Sequence, residues 1–497
     1  MIGFQEAKNG ERTVSCDGKF LHSKYNPSSE GEKFAQNVQA DFSPLCLIFI
    51  EPALAYSAFF LKKRFPRTQF IAIRFFTEFD KTENARLFDR TIFFDENTNL
   101  ADELFECLSE EELCSALVLE WTPTKNLLPE KNALVWNEIK AAILKSRDVL
   151  GTRSYFSKRW LKNSISFFTN INTFCTARKT KLPIVVASSG RSLESSLPFL
   201  CELRQSYFLI AVSSAFLPLI THNIVPDIVI STDGGYWAKK HLAFPTGHKS
   251  LSTPVFALSS ESAVPKRLLQ NEKIIPLCYD DDEIQRQLFL SLGIPHMPAR
   301  RNGTVSGTAV ELALTLTDRT VYCVGLDQAP AVGYQHTQPN SLEQSSQAAD
   351  FRLKPKETRL TSSQFSSAGS LAIYRNWFIS KSRTRLSRVK RLSASYPFAF
   401  SLGAIKDVDW AFFKDTESDG HSAHADFSPL SLAEKSSLER KKILSAALEK
   451  IRMTDNFKKE FFPMERLLIL RETDEEKKKV LKRELEEKIS AFLKDYT

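Results

Sequence analysis

The stretch Pro183–Gly235, PIVVASSGRSLESSLPFLCELRQSYFLIAVSSAFLPLITHNIVPDIVISTDGG, decides how the rest of the chain is read. Ile184–Ala187 is a short apolar, β-branched run, the composition of a strand buried on both faces of a parallel sheet. Ser188-Ser189-Gly190-Arg191-Ser192 punctuates it, and Leu193–Leu203 has helical spacing. Phe208–Val212 and Ile228–Ile230 repeat the strand signal, the second running into Ser231-Thr232-Asp233-Gly234-Gly235. Strand and helix alternate, which predicts an α/β fold. In open α/β sheets ligands bind beyond the carboxyl ends of the strands, so the turns at 188–192 and 231–235 are candidate sites.

A second block completes the unit. Arg301–Ala309, RNGTVSGTA, is a small polar turn before the alanine-rich helix Val310–Leu316. Val321–Val324 reads as the next strand, with Gly325-Leu326-Asp327 at its carboxyl end. Free amides at such helix starts bind anions without any lysine. Short polar turns also join strands to helices in every α/β protein, so either turn alone is a weak signal.

Composition narrows the class. A chain of 497 residues exceeds one ordinary core and predicts two or three domains. With 42% hydrophobic residues and 38 Phe against 17 Gly it reads as well packed, not disordered. Eight cysteines form no CxxC pair, and Cys46, Cys201 and Cys323 lie in apolar segments as small core hydrophobes. This predicts a reducing cytoplasm and neither a zinc site nor a disulfide framework. The N-terminus lacks a signal-peptide pattern, and no apolar run reaches the roughly 20 residues of a membrane span. Of the net charge of +8, residues 331–410 supply +7, from 12 basic and 5 acidic side chains. No nucleic-acid motif accompanies that surplus, so nucleic acid is not expected as a partner.

The order of the motifs is more specific than any one of them. SSGRSL (188–193), VPDIVISTDGG (225–235), NGTVSGTAVELAL (302–314), VYCVGLDQA (321–329) and GYQHT (333–337) together resemble the motility accessory factor (Maf) family. Members of that family are flagellin glycosyltransferases related to bacterial sialyltransferases. The same core resembles archaeal 6-hydroxymethylpterin pyrophosphokinases of the MptE type. The family's first turn is G-x-G-P-S-L, and Ser188 and Arg191 stand here for its first glycine and its proline. LHSKYNPSSEGEKF (21–34), TRSYFSKRWLKN (152–163) and SLAIYRNWF (370–378) extend the resemblance over most of the first 400 residues.

The resemblance implies an enzyme that moves a nonulosonic, sialic-acid-like sugar from a CMP-activated donor to Ser or Thr of flagellin, in support of flagellar assembly and motility. Ser188, Ser189, Gly190 and Ser192, with Asn302, Gly303, Thr304, Ser306, Gly307 and Thr308, are the expected donor-binding residues. Asp233 and Asp327 follow buried strands and project into the crevice, to bind ribose, orient a sugar or hold a divalent ion. His336 is the expected base, since an imidazole titrates near neutral pH. No cofactor beyond the donor is implied, and a divalent metal stays open. Two other functions stand beside this one: a pterin pyrophosphokinase using ATP and Mg²⁺, and a non-catalytic binding protein that retains the fold.

In chain order, residues 1–130 read as a small β unit followed by a degenerate Rossmann-like domain. Its strands are Leu45–Glu51, Phe70–Phe76, Thr91–Phe94 and Ala116–Glu120. The Maf counterpart of its first turn is G-x-G-x-G-Y; Glu51, Ala53 and Ala55 stand here instead, and a phosphate would meet side chains. Residues 131–182 read as a helical linker, 183–410 as the central, sialyltransferase-like catalytic domain, and 411–497 as a helical C-terminal region. Leu360–Ser370 is serine-rich and reads as a loop, either a lid or a connection. Lys381–Arg391 holds six cations and no acid, a solvated helix face or an anion-attracting rim. His421 and His424 lack a third convincing ligand. The oligomeric state is not legible.

Overall fold

The computed structural model describes residues 2–96, 98–243, 254–301, 303–331, 333–379, 381, 386–392, 400–417 and 427–494, with the backbone alone for 362–370. It divides into two compact units, Met1–Ser157 with Met453–Asp495, and Lys158–Arg452. The fold class is α/β with parallel sheets and helices toward the C-terminus, as the alternation of motifs predicts.

The first unit opens on a small antiparallel sheet, β1 (Ile2–Glu6), β2 (Arg12–Cys16) and β3 (Lys19–Phe20). A parallel sheet follows, β4 (Cys46–Ile50), β5 (Gln69–Arg74), β6 (Arg90–Phe93) and β7 (Ala116–Glu120), in the order β6-β5-β4-β7. Every residue of β4, CLIFI, is buried, because the strand is central and both its faces are covered. The helices Asp455–Phe461, Pro463–Arg471 and Glu475–Leu493 belong to this unit, where Phe457, Phe461 and Phe462 gather around Phe492. The C-terminal region is therefore not a body of its own. The helix Ser437–Ile451 counts to the second unit and the three later helices to the first.

The expected linker is a 42-residue helix, Pro129–Asn170, shared between the two units. Just past it, β8 (Thr173–Phe174) already belongs to the large sheet of the second unit. That sheet has eleven strands: β9 (Ile184–Ala187), β10 (Phe208–Val212), β11 (Ile228–Ser231), β12 (Val255–Ser259), β13 (Lys273–Tyr279), β14 (Met297–Ala299), β15 (Val321–Val324), β16 (Val389–Leu392), β17 (Lys406–Val408) and β18 (Ser431–Leu432), besides β8. The order is β17-β16-β15-β9-β10-β11-β12-β13-β8-β18, with β14 beside β13, and all pairs are parallel except β18 on β8.

β9 is the turning point of this sheet. The chain steps outward from it through β10, β11, β12 and β13, then returns to lay β15 against its other edge. Val186 is paired with Ile210 on one side and Cys323 on the other. At such a reversal the following segments part and leave a crevice at the carboxyl ends of the strands. Those ends carry small hydroxyl residues: Ser188 after β9, Ser213 after β10, and Ser231 and Ser259 as the last residues of β11 and β12.

Three expectations are corrected here. Residues 360–370 are not a loop but part of the helix Lys356–Ile379; serine runs are tolerated in a helix when neighbouring turns continue it. Of the basic run, 382–385 lie outside the described residues, and Arg388, Lys390 and Arg391 form neither a solvated helix face nor a rim. Arg388 donates to the carbonyls of Leu314, Thr317 and Arg319, at the end of the helix Val305–Leu316. Arg391 is buried in β16, paired with Asp407 and donating to Leu326 O at 3.0 Å. Cys201 is exposed, whereas Cys46 and Cys323 are buried as expected.

Candidate functional site

Three loops meet at the reversal point. The turn after β9 carries Ser188–Ser192, the segment after β15 carries Gly325–Asp327, and the loop that follows crosses the end of the sheet. Gly190 and His336 form an antiparallel bridge. Thr337 N donates to Ser189 O at 2.9 Å, and Thr337 Oγ1 to Gly190 O at 2.7 Å. Farther on, Asn340 Nδ2 reaches Ser214 O at 3.5 Å, beyond β10. The loop from β15 thus spans the ends of β9 and β10 and places His336 over the turn.

At its centre is a hydrogen-bonded chain. Ser214 Oγ donates to Ser189 Oγ at 2.8 Å, and Ser189 Oγ lies 3.1 Å from His336 Nδ1. Burial lowers the pKa of His336, while the hydrogen bond its ring makes to the Ser189 backbone acts the other way. Burial also lowers His241, to about 4, with the His336 imidazole adding to the effect. Both rings are neutral at pH 7 by direction of shift. A neutral, oriented imidazole beside a hydroxyl chain is equipped to take up a proton.

Asp327 is engaged by the turn after β9. Its carboxylate accepts from Ser192 N at 2.9 Å and from the Ser192 hydroxyl, and it is only 5% exposed. Burial raises its pKa and the two Ser192 hydrogen bonds oppose that. Gly190 N is taken by Gly325 O at 2.8 Å. The amides of Gly190 and Ser192, expected to receive a donor phosphate, are therefore spent on the protein's own acceptors. The close fit also explains the glycines. A Cβ on Gly190 would stand 2.4 Å from Gly325 O and 2.7 Å from Asp327 Oδ2, and one on Gly325 would stand 2.2 Å from Ser188 O.

The second turn is exposed at Gly303 and half-buried from Thr304 to Ser306. Thr304 caps the helix Val305–Leu316, its Oγ1 accepting from Gly307 N at 2.9 Å. Ser188 Oγ donates to Ser306 Oγ at 2.8 Å, which joins this helix start to the turn after β9. Gly307 and Thr308 are buried in the first helical turn, behind the tip formed by Gly303, Thr304, Val305 and Ser306. Asn302 lies outside the described residues, as do His421 and His424. Asp233 is exposed, with Oδ1 accepting from Gly235 N at 2.7 Å. Its strand is two places from β9, about 10 Å away.

Four residues at this edge escape a reading of the sequence: Ser214, His241, Asn340 and Gln328. Gln328 directly follows Asp327, holds a left-handed φ of 49°, and buries an Oε1 that has no hydrogen-bond partner. The one signal for Ser214 is that both β9 and β10 are followed by Ser-Ser. Nothing in the local sequence marks Asn340 or His241.

A doubly neighboured β9, a parallel sheet and a site at the reversal of strand order define an open α/β domain of ligand-binding type. Residues 158–332 match the family model described as 6-hydroxymethylpterin diphosphokinase MptE-like. The chain is 30% identical over 303 residues to an uncharacterized protein of Treponema pallidum (strain Nichols), across 59% of this chain. It spans 63% of that relative's length. Among solved structures it is similar to a MAf glycosyltransferase from Magnetospirillum magneticum AMB-1, with 12% identity and a TM-score of 0.47, over 94% of this chain and 77% of the other.

Proposed function

We propose that the second unit is the catalytic part of a glycosyltransferase that moves a nonulosonic sugar from a CMP-activated donor to Ser or Thr hydroxyls of flagellin. The observation that carries the proposal is the Ser214–Ser189–His336 chain at the reversal point, beside the start of the helix Val305–Leu316. The run of motifs that resembles the Maf family supplies the substrate class.

Breaking the donor's bond to the sugar leaves negative charge on the CMP phosphate. The tip Gly303–Ser306, with the helix dipole behind it, is suited to receive that charge, and Ser188 extends it toward β9. In the tautomer with the His336 proton on Nδ1 and directed at Ser189, Nε2 carries none. That tautomer accepts the proton of an acceptor hydroxyl. Asp327 serves this arrangement indirectly, by fixing the turn that carries Ser189. It is a positioning residue.

The MptE-like match favours a second reading, transfer of a diphosphate from ATP to a hydroxymethyl group, which needs the same phosphate tip and a base plus Mg²⁺. A thermal-shift series with CMP, CTP, ATP and a pterin separates the two, because a ligand of the folded state raises the unfolding temperature. Stabilisation by CMP and CTP supports sugar transfer, and stabilisation by ATP with a pterin supports the second. Intact-mass analysis of flagellin from cells with and without the protein tests the acceptor; an unchanged mass removes flagellin from the account.

A further inference from the structure

The first unit contains a buried charge pair that the proposed chemistry does not use. Glu51 and Arg74 are both completely buried, at the carboxyl ends of the neighbouring strands β4 and β5. Glu51 Oε1 accepts from Ala53 N and from Arg74 Nη1, each at 3.2 Å. Its Oε2 accepts from Phe75 N at 2.5 Å and Phe76 N at 3.2 Å. One carboxylate thus collects three backbone amides and a guanidinium.

The backbone around it is shaped for this. Glu51, Ala53 and Ala55 hold φ of 35°, 50° and 55°, three of the six non-glycine left-handed residues in the described chain. Side chains with a Cβ rarely adopt that region. Of the amides in this turn, Ala53 N reaches Glu51, while Leu54 N donates to His22 Nε2 at 3.0 Å and Ala55 N to Pro52 O at 2.8 Å. Arg74 adds positive charge, tied by Nη1 to Ala53 O at 2.6 Å, while its Nε and Nη2 are buried without hydrogen-bond partners. Those two nitrogens lie in a guanidinium placed over Phe79 and Phe88, 5.9 and 5.7 Å from the ring centroids. Three amides, one from the turn after β4 and two from just past β5, converge with the guanidinium on one negative group.

We propose that the donors gathered at the carboxyl ends of β4 and β5 are an anion-binding site whose ligand is the protein's own Glu51 carboxylate. The first unit fills this cradle from within. It therefore takes no nucleotide phosphate from solution, and removing the carboxylate exposes a site for a small oxyanion. This is independent of the function assigned to the second unit.

The test uses the full chain and the variant Glu51→Ala, unfolded thermally in chloride, acetate, formate or phosphate at equal ionic strength. In chloride the variant is expected to unfold about 10 °C below the wild type, as when one partner of a buried pair is lost. Acetate and formate should restore several degrees to it saturably and leave the wild type where chloride leaves it. Phosphate rescue equal to acetate would show a cradle large enough for a phosphoryl group, and weaker rescue one sized to a carboxylate; either supports the site. A variant as stable as the wild type, or one that no anion restores, overturns the proposal. Should Glu51→Ala not fold in chloride, refolding it into acetate gives the same reading, and Glu51→Gln provides a second. Glu51→Gln should be destabilised and deaf to every anion, because its amide fills the cradle; wild-type stability in that variant also overturns the proposal.

Discussion

Asp327 holds Ser192 by two hydrogen bonds, one to its backbone amide at 2.9 Å and one to its hydroxyl, so the end of β15 fixes the start of the helix that follows β9. The two strands are neighbours in the sheet but far apart in sequence. This clamp sets the turn on which Ser189 and the His336 contact depend.

Removing it should show first as lost stability. Asp327→Ala leaves the Ser192 amide and hydroxyl without their acceptor in a buried place, at a cost of about 3 kcal/mol. Chemical denaturation measures this. A variant that keeps wild-type stability and loses only donor affinity would mean that Asp327 faces the ligand.

Gly190 is the second part of the clamp. Even Gly190→Ala should cost about 2 kcal/mol, since its Cβ would stand inside contact distance of Gly325 O and Asp327 Oδ2. A valine there would displace the loop outright, so a loss of nucleotide binding in such a variant says nothing of direct contact. Thermal unfolding of Gly190→Ala checks the prediction; an unchanged midpoint contradicts it.

The buried histidines predict a pH dependence. His241 titrates near 6.5 when unfolded and at about 4 in the folded chain. As pH falls the unfolded state takes the proton first, so the stabilisation is complete above pH 6.5 and lost between 6.5 and about 4. The loss amounts to about 3 kcal/mol. His22 and His336 are shifted in the same direction by burial. Urea unfolding at pH 7.5 and 4.5 should show the drop, and His241→Asn should reduce it without abolishing it.

Arg391 offers a contrast with a surface cation. Arg391→Ala should destabilise the second unit by about 2 kcal/mol, because it removes a buried side chain and leaves the Leu326 carbonyl without its donor. The effect should change little between low and high salt, because it rests on the lost packing and the Leu326 contact rather than on the pair with the half-exposed Asp407. A salt-dependent loss of anion binding with intact stability would restore the rim.

Much of this architecture is legible in the residues. The runs at 184–187, 208–212 and 228–230 have a strand's length and β-branched content, and they become adjacent parallel strands. The turns at 188–192 and 303–308, with Asp327 and His336, do gather at one edge of the sheet. Which groups use which is not legible, since the Asp327–Ser192 and Ser189–Ser214 contacts join segments far apart in sequence. Likewise Lys381–Arg391 looks like a solvated run because six charges carry no sign that Arg391 will lie in a strand beside Asp407. Leu360–Ser370 reads as a loop because serine's weak helix preference is decided by its surroundings.

The central claim is that His336 is the base of a sugar transfer at this crevice. The most direct measurement is single-turnover release of CMP from a CMP-activated nonulosonic sugar with flagellin present, for the wild type and His336→Ala, with donor affinity measured on each. The account predicts release by the wild type, a rate about 10²–10⁴-fold lower in the variant, and nearly equal donor affinities. Full-rate release by a correctly folded His336→Ala, or no release by the wild type, would contradict it.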